Sequence, residues 1–213
     1  MNLPNIKYNG DITKLVTAND DQFDSVSYIK DAEYFFDSTN YSKFIKEVEK
    51  LVRHSDDYNE FVRYIKRTLG INFCQVSSKI TDDMATIEMH HGPLFTLYDV
   101  VEVILNFFIK TGTPINTFRV ANKVLDEHFA LRVQIIMLTV TNHEAISNRD
   151  LFTHINQGIG NVDAFIKLYA PYLQDEQKYK IWNYLNLCEN SNFGKSFDRG
   201  YLDIDWIKRY IKI

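Results

Sequence analysis

The sequence predicts a mainly α protein with a small β-hairpin, an α+β chain whose helices carry most of the core. Three observations predict it. Apolar residues recur at helical spacing over most of the chain from Ser38 onward, helix-start signals precede those stripes, and only two short stretches alternate with period two. With 213 residues, 45% of them hydrophobic, there is apolar material for one sizeable core. The expected organisation is an acidic N-terminal arm over 1–37 followed by a single, mostly helical domain over 38–213.

Residues 1–37 hold seven Asp or Glu against three Lys and no sustained apolar period, so they are expected to extend as an arm in which only "YIKDAEYFF" is able to dock. Phe44, Ile45, Val48, Leu51 and Val52 form one stripe, which predicts a helix to about His54. Asp57, with Glu60 three residues later, reads as a capping box for a second helix that carries Phe61, Ile65 and Leu69 and closes at Gly70. "INFCQVSSKI" and "ATIEMH" alternate on either side of the turn-like "TDDM", and the two are predicted to pair as the hairpin.

Thr96 and Asp99 form another capping box, leading a helix with Leu97, Val100, Val101, Ile104, Leu105 and Phe108 inside and Gly112 past its end. Asn116 or Thr117 opens the next, with Phe118, Ala121, Val124 and Leu125 inward. "VQIIML" has strand length and branched residues, and it fits a continued buried helix equally well. Thr141 and Glu144 mark a further helix start, and helices are predicted over 161–170, 175–189 and 203–213.

Composition excludes several function classes. Lys and Arg number 24 against 28 Asp and Glu, a formal charge of −4, so no broad basic field gathers nucleic acid. The basic concentration lies between Lys43 and Arg67, where Arg63, Lys66 and Arg67 are the candidate phosphate contacts; a solvated helical face is the plain alternative. Cys74 and Cys188 stand far apart without a CxxC, which argues against a disulfide framework or a thiolate zinc site. The opening "MNLPNIKYNGDITK" lacks a basic stretch followed by an apolar run, and no apolar run approaches ~20 residues. A cytoplasmic protein without a membrane span is expected. "FGKS" lacks the upstream glycine of a phosphate loop and reads as a turn, and Phe107 and Phe108 read as core.

The candidate chemistry lies in histidine. His90 and His91 stand side by side in "IEMHHGP". On a strand, Glu88 and His90 point to one face while Ile87, Met89 and His91 point to the other. Downstream, "LTVTNHEAIS" places His143 and Ser147 four apart, on one helical face.

"IEMHHGP" and "IIMLTVTNHEAIS" together resemble the two ends of an HNH-type nuclease motif of phage or mobile-element type, the ββα-metal fold: a strand with a His pair, a second strand ending in "LT", then a helix bearing histidine. The resemblance covers roughly 71–150. It implies nucleic-acid hydrolysis with one divalent metal (Mg, Mn or Zn), with His90 and His143 as ligands and His91 as the general base. Glu88, beside His90, is a further candidate ligand. The residue types suit that chemistry, because imidazole titrates near neutrality and a cation stabilises charge developing on phosphate oxygen.

The chain departs from the family's pattern in three places. Ser147 stands where the last metal histidine would be. The stretch 92–142 replaces a short loop with a structural asparagine, for which Asn116 and Asn122 are the stand-ins, and no CxxC knuckle is present. His128 and His154 are candidates to supply the missing ligand through tertiary contact. A relative altered at Ser147 would bind nucleic acid without cutting it. The rival class is a non-enzymatic helical adaptor, binding a protein partner through its acidic arm or helix faces in a phage transcription, replication or packaging assembly.

Overall fold

A computed structural model describes residues 29–191 and 204–211. The architecture is mainly helical with one small antiparallel sheet, as the spacing predicts. Eight helices are described: α1 Ser38–Arg53, α2 Asp56–Arg63, α3 Leu97–Thr111, α4 Thr117–Phe129, α5 Val140–Ser147, α6 Val162–Tyr169, α7 Asp175–Asn190 and α8 Ile204–Tyr210. The strands are β1 Ile87–His91 and β2 Ile135–Thr139. Most of the predicted acidic arm, residues 1–28, lies outside the described residues. Its last part docks: a 3-10 turn over Ala32–Phe36 buries Phe35, whose ring meets Phe44 edge-on at 5.1 Å.

Helix α1 lays Phe44, Ile45, Val48 and Val52 against α3 and α4. These fill the centre with Val100, Val101, Ile104 and Leu105 of α3 and Val120, Ala121, Val124 and Leu125 of α4. The capping box of α3 is present in both directions, with the Asp99 amide donating to the Thr96 hydroxyl and the Thr96 amide donating to the Asp99 carboxylate. Asn116 caps α4 by accepting from the Arg119 amide.

Two expected helix starts are displaced. Ser55, not Asp57, caps α2, accepting from the Tyr58 amide; Thr139, not Thr141, caps α5, accepting from the Asn142 amide. In each case a hydroxyl closer to the preceding element satisfies the first free amides, and in α2 Asp57 falls within the first turn.

The hairpin expected between 71–80 and 85–90 does not form. Residues 71–86 contain only an isolated bridge between Phe73 and Thr81, and β1 pairs instead with the apolar run, His90 opposite Ile136 and His91 opposite Ile135. The physical reason lies on the far edge of β2. There the Gln75 amide donates to the Met137 carbonyl at 2.8 Å while the Met137 amide donates to Gln75 Oε1 at 2.7 Å. Ile135 and Ile159 exchange both backbone bonds one step along. With both edges satisfied and both faces covered, β2 is buried at every position, which is why its sequence reads as an unbroken apolar run rather than an alternation.

A second buried knot fixes the end of α4. Glu127 is fully buried and accepts from Arg132, from Lys123 and from the Tyr169 hydroxyl of α6. Burial alone would raise its carboxyl pKa, and these three donors outweigh it and hold the group below its usual range.

The return of the chain against β2 depends on Gly160. Its φ is +116°, and a Cβ there would stand 2.5 Å from the Val133 carbonyl oxygen. Gly160→Ala is therefore expected to lower unfolding stability by on the order of 2 kcal/mol or more, measured as a shift in the urea midpoint at constant slope.

Candidate functional site

The alternation of β1 sends its neighbouring histidines to different environments. Glu88 and His90 face outward and are partly exposed, whereas His91 turns into the core. Helix α5 follows β2 without a loop and lies beside both strands. This places His143 against the outer face of β1. Its Nδ1 donates to Glu88 Oε2 at 2.7 Å, and its ring meets that of His90 at 4.7 Å between centroids, at 68°. Burial, the adjacent His143 and the positive charge of Arg53 push His90 down to about 4, so it is a neutral imidazole at physiological pH.

Three expected metal-site residues, Glu88, His90 and His143, are thus brought together. Their geometry is that of a hydrogen-bonded dyad with an imidazole beside it, because Glu88 is the acceptor for His143. Among the described residues, no group of three or more His, Cys, Asp or Glu side chains is arranged to hold a metal ion. The residues present do not fit the divalent ion that the HNH resemblance implies. Ser147, at the position of the family's last ligand, is exposed. His154 closes a 3-10 turn by accepting from the Asn156 amide and is not in the cluster.

His91 does not join that group. It is 4% exposed, stacks on Tyr58 at 5.9 Å and 12°, and shares a proton with His128 over 2.8 Å. The direction of that bond follows from the next one. The Val124 carbonyl only accepts, so His128 carries its proton on Nδ1, 2.7 Å from that oxygen. Its Nε2 therefore accepts, and His91 Nε2 donates. The general-base role expected of His91 has no open water-facing nitrogen on the His90 face; the residue instead ties β1 to α4. The sequence did carry a signal for His128: with Ala121, Val124 and Leu125 it continues the buried stripe of α4.

The predicted phosphate contacts do converge. Arg63 ends α2, and Lys66 and Arg67 lie on the π-helical turn Tyr64–Thr68 that continues it. Together with Gly70, Asn72 and Asp82 they line a cleft of about 510 Å³. Lys66 is anchored there by donating to the Ile87 carbonyl of β1 at 2.7 Å. Both cysteines are free and buried. Cys74 accepts from the Asn142 side chain at 3.1 Å and so links the 71–86 segment to the start of α5.

A mainly helical chain with a short two-stranded sheet, histidines divided between core and surface, and a basic cleft is the class of molecule that these elements define. Residues 3–207 match the bacteriophage G278-like virion protein family, and the chain belongs to that family. No curated protein and no solved structure matches it. No helix among the described residues is long and apolar enough to cross a membrane.

The buried pair makes stability depend on acidity. Burial drives His91 well below 6.5 and His128 to about 4. Both folded values lie below the unfolded one, so the unfolded chain binds more protons between about pH 6.5 and 4. Their contribution is complete above that window and drains as pH falls through it. The unfolding free energy obtained from urea titrations is expected to drop between pH 7.5 and about 4.5 by an amount on the order of a few kcal/mol. In the double substitution His91→Phe with His128→Leu, that drop is expected to shrink.

Proposed function

We propose that this chain is a non-enzymatic structural component of a phage particle, held in the assembled virion by contacts with other virion proteins. The observation that carries the reading is membership of a virion protein family along nearly the whole chain. The placement of His91 supports it, since a histidine spent on internal bonding to His128 serves the fold. The helical surface, with helix faces on several sides of one core, suits an adaptor that touches more than one neighbour. The measurement is quantitative mass spectrometry of particles purified by gradient centrifugation, with antibody labelling of the same particles. A fixed copy number per particle is expected; recovery only from the soluble fraction of infected cells would overturn the reading.

A second reading, phosphodiester hydrolysis, has one observation in its favour, although the cluster does not form a metal site. The succession β1, β2, α5 groups Glu88, His90 and His143 on one exposed face. In such an enzyme the base would have to be drawn from that face and not be His91. Supercoiled plasmid incubated with Mg²⁺, Mn²⁺ or Zn²⁺ is expected to remain uncut. Nicking that requires the metal and vanishes in both His90→Ala and His143→Ala would put the hydrolytic reading first.

A further inference from the structure

We propose that the cleft lined by Arg63, Lys66 and Arg67 binds the phosphate backbone of nucleic acid without regard to sequence. The inference goes beyond the structural role above and does not depend on how the chain is held in a particle.

The charge balance of the cleft carries it. Arg63, Lys66 and Arg67 are spaced three and four residues apart and so share one face of the helical segment. Among the described residues none of the three is in an ion pair, whereas Arg53, Lys123, Arg132, Lys178, Lys180 and Lys208 each have a carboxylate partner. The one acid in the lining, Asp82, accepts from the Asn72 side chain at 3.2 Å and pairs with none of the cations. Three like charges therefore face one cleft of about 510 Å³ in a chain whose formal charge is −4. Their mutual repulsion is relieved when an anion enters.

The lining also selects the kind of anion. Two guanidinium forks match phosphate oxygens two at a time. Lys66 is held in place by the Ile87 carbonyl, so little of its freedom remains to be lost on binding. At Gly70 the space around the Cβ position is open, leaving a low wall over which a chain can pass. The lining holds no aromatic side chain, so there is no platform for stacking bases, and the contacts read backbone charge alone. Nucleic acid offers charges spaced by about 1.7 Å along a duplex axis, a density that an acidic peptide does not reach.

The test is fluorescence anisotropy of labelled single- and double-stranded DNA titrated with the full chain between about 50 and 200 mM salt. Affinity is expected to fall with salt at a logarithmic slope of about −2 to −3. The double reversal Arg63→Glu with Arg67→Glu is expected to weaken binding by roughly tenfold or more and to flatten the slope, whereas Arg63→Lys with Arg67→Lys stays within a few-fold. Lys66 is left in place because it anchors β1, and an unchanged urea midpoint verifies the fold of each variant. Three outcomes would overturn the proposal: no binding at the lowest salt, binding indifferent to the double reversal, or displacement of DNA by polyglutamate or free nucleoside triphosphate at equal charge concentration.

Discussion

Both backbone groups of Met137 are claimed by a single glutamine, and much of the molecule follows from that. A two-stranded ribbon is not stable alone in water, and burying one inside a helical protein leaves every amide and carbonyl on its outer edge in need of a partner. Gln75 supplies two of those partners to Met137, with its backbone amide and its side-chain oxygen, while its side-chain nitrogen donates to the Gln157 carbonyl at 2.7 Å. Ile159 completes the edge. The segment expected to be the first strand of a hairpin thus seals the far side of the sheet. Because β2 is sealed, α5 can begin immediately after it and carry His143 over β1.

The same ribbon decides what neighbouring side chains do. His90 and His91 differ by one position and so by one face of the pleat. One packs beside the His143–Glu88 dyad at the surface, and the other packs between Tyr58 and His128, whose ring in turn meets Phe61. The inner pair satisfies itself through a relay that ends on the Val124 carbonyl, leaving two imidazoles in the core at the cost of keeping both neutral. Glu127, next to His128 in sequence, meets the opposite demand: it is a buried charge surrounded by donors. The C-terminal turn of α4 is therefore held on two sides by polar contacts as specific as the apolar stripe along its length.

Much of this is legible in the sequence itself. The stripes of α1, α3 and α4, the Thr96–Asp99 box and the opposite faces of Glu88/His90 and His91 are local patterns, and local patterns survive in the structure. Pairing was not legible. A strand buried on both faces loses its alternation, so nothing in "IIMLT" tells it from a helix or points to its partner. The displaced caps at Ser55 and Thr139 show the same limit at smaller scale, since Asp57–Glu60 and Thr141–Glu144 imitate the spacing two residues along. Of the candidate site, Glu88, His90 and His143 come together as the spacing allowed. The union of His91 with His128 is a contact between residues 37 apart, which no short motif encodes.

That union has a consequence for time as well as energy. The proton between His91 and His128 lies in a compartment walled by α2, α4 and β1, so water can collect it only when those elements part. Its exchange with solvent is then set by how often the sheet lifts from α4, an opening event distinct from global unfolding. A single imidazole proton in this chain would serve as an internal clock for the breathing of its core.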